Sequence, residues 1–437
     1  MIPGENRHNV VVPRERPAVK APQSIIPELP VLRCNLSRFI GFNTSLFMQN
    51  QLSCPSICFP GQVEGSVHQI RHAHGGIGDL HLTAPAASNF EAVGQEEPRF
   101  PLPGSHSEWQ VVRQTVFGFL RETDWIEGCG QDIGWPVTLL STGTKERPRE
   151  GGTYVQAVKG AGVRILSTDG RVSGVVYEDA HGRYCFLGGL VPTDKCASPN
   201  EQTLQVFERM AGLLDLAGMD FSNVVRTWFY LDAILDWYGE FNRARDKFFS
   251  NRHLFDSILP ASTGIGAKNG YGSALVAEAL AVQPKSNKLE IRQVASPLQG
   301  SACDYGSSFS RAVELVDPDH TRLFVSGTAS IAPKGQSLHS GDVDAQVRLT
   351  MSIVDAILKS CDMDWQHSCR AFAYFKHAGD FDALNRYCAS AGISWLPVLL
   401  YENDICRPEL LFEIELDAVK AGTPTKITKN EETGFHK

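Results

Sequence analysis

Between Gln202 and Ala217 apolar residues recur at spacings of three and four: Phe207, Met210, Leu213, Leu214 and Ala217. That period predicts an amphipathic helix. At an offset of 144 the pattern returns, with Met351, Val354, Ile357, Leu358 and Cys361 in the matching positions. The same offset relates Gln202 to Gln346, Met219-Asp220-Phe221 to Met363-Asp364-Trp365, Arg226 to Arg370 and Tyr230 to Tyr374. After each helix comes a run rich in aromatic and branched residues, VRTWFYL at 225–231 and CRAFAYF at 369–375, which predicts a strand. Second helices are predicted around 236–249 and 380–391, where Phe241-Asn242-Arg243 echoes Leu384-Asn385-Arg386. Further strands follow at Ala279–Val282 and Leu416–Val419, now offset by 137, so the first copy carries a seven-residue insertion. Each copy opens on strand signals, YCFLGG at 184–189 and RLFVSG at 322–327. The string VYEDAHGRYCF upstream of the first reads as a hairpin with His181-Gly182 in its turn.

The order β, β, α, β, α, β, met twice, predicts an α+β chain of two tandem units, each a mixed sheet with helices on one face. The units are expected at 151–286 and 287–420. Residues 1–34 are proline-broken and polar and are expected to form a mobile arm, and 421–437 a tail. Residues 35–150 hold short strand-like runs at Val112–Leu120 and Pro136–Leu140, and read either as an N-terminal extension or as part of the first unit.

Composition narrows the functional classes. A net charge of −8 argues against a broad basic surface for nucleic acid. No apolar run is long enough to span a membrane. The eleven cysteines are scattered without a CxxC pair, as expected of reduced thiols in a cytoplasmic protein. An HAH string, His72 to His74, offers two imidazoles with no third ligand in sequence reach, and reads as a solvated loop, so no metal is expected. Gly264-Ile265-Gly266 lacks the Lys-Ser/Thr of a phosphate loop and the third glycine of a dinucleotide fingerprint. It is read as a tight turn whose amides face a ligand, and no cofactor is expected.

Three strings carry a family resemblance. Residues 260–267 read PASTGIGA; LFVSGTASI at 323–331 is followed by His339, Gly341-Asp342-Val343 and Gln346; and DICRPELLFEIE spans 404–415. Together with the tandem order they resemble the chorismatase branch of the Rid/YjgF superfamily. The superfamily builds trimeric, barrel-like assemblies with small-molecule sites between subunits. The resemblance therefore implies either a homotrimer or a monomer with pseudo-symmetric domains, and a small-molecule substrate.

Chorismatases remove the enolpyruvyl ether of chorismate as pyruvate, which requires a positioned acid to protonate a methylene carbon. The resemblance places that acid at Glu413. Read from the residues alone, Glu413, Glu415 and Asp417 alternate with Phe412, Ile414 and Leu416 as on any strand with one wet face. The position 137 residues before Glu413 is Val276, which fits one active and one structural half, and equally fits plain divergence. Arg311 and Arg407 are candidates to hold the two carboxylates of the substrate, against the alternative of surface ion pairs. Tyr305 and Tyr374 are candidate hydroxyl donors, with Tyr374 weighed mainly as core. Thr263, Gly264 and Gly266 are expected to form a wall of the site. Members that make 3-hydroxybenzoate carry Gly and Cys at two positions where hydrolysing members carry Ala; here these are Gly327 and Cys406. A lone Cys is otherwise a small buried residue. The arginine with which imine-deaminating members hold a carboxylate would fall at Val398, in an apolar stretch, which disfavours that activity. Two other readings stay open: a Rid-like enzyme on another imine, enamine or cyclic substrate, and a non-catalytic Rid-fold binding protein.

Overall fold

The computed structural model describes residues 56–59, 63–71, 78–85, 109–118, 133–141 and 152–422, without the side chains of residues 56–59, 63–71, 78, 83–85 and 305. The expected arm (1–34), the expected tail from 423 onward and the HAH string lie outside the described residues.

The first sheet is built from β1 (Ser56–Phe59), β2 (Val63–Arg71), β3 (Gly78–Pro85), β4 (Trp109–Phe117), β5 (Val137–Ser141) and β6 (Gly152–Lys159). The second contains β7 (Arg164–Thr168), β8 (Arg171–Glu178), β9 (Gly182–Leu190), β10 (Val224–Leu231), β11 (Ala261–Gly266) and β13 (Leu275–Pro284). Its helices are α1 (Pro199–Ala217) and α2 (Ile234–Asn251), while the short β12 (Lys268–Asn269) crosses to pair with β5 of the first sheet. The third contains β14 (Glu290–Val294), β15 (Ala312–Val316), β16 (His320–Ala329), β17 (Ser368–Phe375), β18 (Val398–Glu402) and β19 (Phe412–Ala421), with helices α3 (Val343–Ser360) and α4 (Asp382–Ala391).

All three sheets have one topology. The strand orders are β1-β2-β3-β6-β4-β5, β7-β8-β9-β13-β10-β11 and β14-β15-β16-β19-β17-β18. In each, only the last pair is parallel. The expected α+β tandem is present, and a third copy of the sheet precedes it. Strand β6 fell inside the expected first unit at 151–286, yet it pairs with β3 and β4 of the first sheet. The second sheet therefore begins at Arg164, and residues from the 35–150 stretch belong to a sheet of their own.

Local chemistry accounts for the elements. Helix α1 starts on a capping box between Ser198 and Glu201 and stops at Gly218 in the left-handed region. Helix α3 starts on Asp342, whose side chain accepts the Ala345 amide. The apolar stripes of α1 and α2 cover the outer face of the second sheet, and those of α3 and α4 the third. The inner faces of all three sheets meet in one core that includes Phe117, Trp228, Tyr230, Phe372, Tyr374 and Tyr401.

That core has a charged centre. In each sheet a bulge precedes a buried arginine: Arg113 on β4, Arg226 on β10 and Arg370 on β17. All three guanidinium carbons lie within 5.5 Å of the Trp228 ring centroid. Three buried carboxylates match them. Arg113 pairs with Glu278, Arg226 with Glu415 at 2.6 Å, and Arg370 with both Glu415 and Asp417 at 2.7 Å. The wet-face reading of β19 is corrected here: Glu413, Glu415 and Asp417 are 4%, 0% and 5% exposed and point into the protein. Ionised groups this deep persist only when paired and hydrogen-bonded.

Candidate functional site

The second and third sheets meet along β11, the strand that holds most of PASTGIGA. Ala261 bridges to Ser310, the Ser310 amide donates to Pro260 O, and the Ser262 amide donates to Ser326 Oγ. At the far end Gly266 bridges to Asp404, with its amide 2.8 Å from Asp404 O. Between these ends the Gly327 amide donates to Thr263 Oγ1 at 3.1 Å, and Thr263 Oγ1 donates to Glu415. The seam is thus held by backbone and small hydroxyl side chains, which leaves a cleft along it.

Glu413, the second residue of β19, lies across the strand pair from Tyr374 and from Ala329. It lines the cleft with Arg311, Gly327, Cys406, Arg407 and Gly264. Five residues not singled out from sequence complete much of the wall: Tyr238 and Arg245 from α2, Ser307, Phe309 and Ile331. Thr263 stands behind Gly327, bonded to its amide. The expected tight turn at 264–266 is instead the end of strand β11, paired in register with β10, and Gly266 is buried at the seam against Asp404 and does not line the cleft. Tyr374 is fully buried in the central core, its hydroxyl without a hydrogen-bond partner among the described residues. The side chain of Tyr305 lies outside the described residues.

The electrostatics of the cleft are those of a carboxylic acid. Burial, with Glu415 adding like charge, pushes the Glu413 carboxyl up to about 8, against smaller opposing pulls from Arg226 and Arg311. At neutral pH it is mostly protonated. Burial, and then Glu413, push the Cys406 thiol up to about 12, so Cys406 is a neutral group beside the acid.

Three arginines face this acid. Arg311 donates through Nε to Gly300 O at 3.0 Å, and its guanidinium lies 5.6 Å from the Phe309 ring centroid. Arg407 donates to Gly335 O at 2.6 Å and to Ser337 Oγ at 3.2 Å. Arg245 is buried, donates to Asn242 Oδ1 at 2.7 Å and leaves Nε without a partner. Burial lowers its pKa, against opposing pulls from Tyr238, Asp246 and Cys303. Its sequence signal was legible. It is an arginine inside the apolar stripe Ile234, Trp237, Phe241, Ala244, Phe248 of α2.

Comparison with known proteins agrees with this architecture. Residues 166–281 match the family model described as Chorismatase FkbO/Hyg5-like, N-terminal. The chain is 25% identical over 335 residues to a protein named chorismatase from Streptomyces rapamycinicus, covering 69% of this chain and 92% of that one. It is 29% identical over 273 residues to a protein named 3-hydroxybenzoate synthase from Streptomyces hygroscopicus, covering 57% of this chain and 77% of that one. In fold it is similar to a crystal structure of a chorismatase, with a TM-score of 0.56 at 20% identity over 74% of this chain and 96% of that chain. The fold is therefore the one that chorismatases use. In sequence the chain is similar to proteins named chorismatase and to one named 3-hydroxybenzoate synthase.

Proposed function

We propose that this chain is a chorismatase-like enzyme that cleaves the enolpyruvyl ether of chorismate, releasing pyruvate and forming 3-hydroxybenzoate. The observation that carries this reading is Glu413, a carboxyl held protonated near neutral pH in a cleft lined by three arginines. Glu413 protonates the methylene carbon of the enol ether, giving an oxocarbenium ion. Arg245, Arg311 and Arg407 hold the two carboxylates by charge-assisted hydrogen bonds. Gly327 leaves room for the ring beside the acid, and Cys406 supplies a small neutral wall that keeps water from the cation. Internal rearrangement then consumes no water, since the atoms of chorismate equal those of pyruvate plus 3-hydroxybenzoate. The hydrolytic alternative consumes one water and gives a dihydroxycyclohexadiene acid.

In this reading the third sheet, residues 290–421, carries the acid, and the second, 164–284, is its structural partner with Val276 at the matching place. Val276 opposite Tyr230 on β10 corresponds to Glu413 opposite Tyr374 on β17, which supports the pairing. Three sheets of one topology in one chain take the place of three subunits, so a monomer holds a complete cleft. We place the reaction in the cytoplasm. The described cysteines are free, and among the described residues no helix is long and apolar enough to cross a membrane.

The test is incubation of the purified chain with chorismate, with pyruvate measured by a coupled assay and the aromatic product by chromatography. Stoichiometric pyruvate and 3-hydroxybenzoate are expected. Chorismate left intact would remove the proposal.

A further inference from the structure

The hairpin turns β8–β9 and β15–β16 are topological counterparts, and they carry the same turn chemistry. Asp179 Oδ1 accepts the amides of His181 and Gly182, both at 2.7 Å. Asp317 Oδ1 accepts the amides of Asp319 and His320 at 2.8 and 2.9 Å. The two turns meet. His181 Nε2 lies 3.1 Å from Asp319 Oδ2, and one donor atom from each of His181, Asp317 and Asp319 lies within 4.8 Å of the others. All three side chains are buried.

Turn geometry accounts for Asp317 Oδ1 but not for Oδ2, which is buried without a hydrogen-bond donor among the described residues. A carboxylate oxygen left in that state is costly unless a cation meets it. Arg322 acts on Asp317 electrostatically, yet its guanidinium donates to Tyr184 Oη at 3.0 Å and pairs with Asp79 at 3.3 Å.

We propose that His181, Asp317 and Asp319 bind one divalent transition-metal ion that pins the second sheet to the third. One imidazole and two carboxylates form a donor set suited to Zn²⁺, Co²⁺ or Mn²⁺. The site lies at His320, the end of β16 opposite Ala329, which pairs with Glu413. Nine residues of strand separate the two ends, roughly 30 Å at the usual rise. The ion is therefore structural, and its binding does not depend on the reading of the cleft.

The experiment uses the full chain, stripped with chelator and titrated with Co²⁺, read by visible absorption and calorimetry alongside thermal unfolding. One equivalent is expected to bind, with a rise in melting temperature. His181→Gln and Asp317→Asn, each made separately, are expected to weaken binding at least about tenfold, the scale on which metal sites respond to lost partners. Both variants keep every cysteine, so ions held by the exposed Cys196 and Cys303 would be unaffected by them. The proposal is overturned if the folded parent binds no stoichiometric Co²⁺, which would leave a histidine–aspartate pair alone. It is equally overturned if both variants bind as the parent does. Should one variant fail to fold, the parent titration and the other variant still decide.

Discussion

A β-carbon built on Gly327 would overlap the carboxylate oxygen of Glu413, and would also sit 3.2 Å from Thr263 Cγ2. Glycine at this position therefore sets where the acid rests. In Gly327→Ala the carboxylate must turn into the cleft, which is feasible because it is the far end of a flexible side chain. The expected result is a changed ratio of 3-hydroxybenzoate to the hydrolysed diene with chorismate consumption retained. Chromatography of both products checks it, and an unchanged ratio would mean that the contact does not matter to partition.

In the proposed mechanism, Glu413→Gln removes the proton that the reaction needs while keeping the side chain's shape. Positioned acids contribute about 10²–10⁴-fold, so turnover should fall by that factor. Stability moves the other way. Glu413 is raised to about 8 in the fold, against an ordinary carboxyl value of 4.5. The folded state thus holds a proton that the unfolded chain has lost between those values. Stability from this group is full below pH about 4.5 and is lost as pH rises through about 8. The melting temperature of Glu413→Gln should accordingly exceed that of the parent at pH 8–9 and match it near pH 5. In the parent, kcat/KM should fall above pH about 8 as the acid ionises.

Much of the lining of this cleft was legible in the sequence, and the reasons are local. Offsets of 144 and 137 identified the repeats because each copy must build the same amphipathic helix over the same strand. The second offset correctly pairs Glu413 with Val276, as the strand registers show. The third copy stayed hidden because its recurring feature is the sheet order: among the described residues it has strands alone. Arg113 follows a β-bulge as Arg226 and Arg370 do, but one arginine is not a pattern. The wet-face reading of β19 failed for a related reason. Alternation shows that Glu413, Glu415 and Asp417 share a face, and what that face meets depends on Arg226, some 190 residues away in sequence.

The arginine cluster gives a stability prediction. Arg370 donates to Glu415 once and to Asp417 twice, all within 3.0 Å. Arg370→Met strips both buried carboxylates of a partner. Breaking one side of such a pair typically costs about 3–5 kcal/mol. Urea unfolding should show a loss of that size or failure to fold. A loss below about 1 kcal/mol would mean that water reaches the carboxylates.

Arg245 makes the opposite case. It is buried with Nε unpartnered, and no ion pair holds it among the described residues. Tyr238, Asp246 and the Phe241 and Phe309 rings offset its burial in part, and an entering anion would complete the balance. Arg245→Met should therefore raise the melting temperature of the free protein. It should also weaken chorismate binding by about 10–100-fold, the worth of a hydrogen bond to a charged group. Calorimetry with the Glu413→Gln background, where turnover is slow, gives the affinity directly. If Arg245→Met binds chorismate as well as its parent, the carboxylates are held by Arg311 and Arg407 without it.

Cys406 tests how water is kept from the cation. Its thiol is half-buried and neutral, pushed up to about 12 by burial and by Glu413, so it is no nucleophile at physiological pH. Its contribution is then its volume and its apolar surface at the cleft wall. In Cys406→Ala the sulfur is lost and room for about one water opens beside the oxocarbenium ion. The product should shift toward the hydrolysed diene, with total pyruvate release falling less than the ratio changes. Cys406→Ser also loses volume and adds a stronger hydrogen-bonding group, and should shift partition the same way by holding water in place. The aromatic and diene products separate the routes: only the hydrolytic route gives the dihydroxycyclohexadiene acid. If Cys406→Ala leaves the ratio as in the parent, the thiol is a packing residue and exclusion of water falls to the rest of the wall.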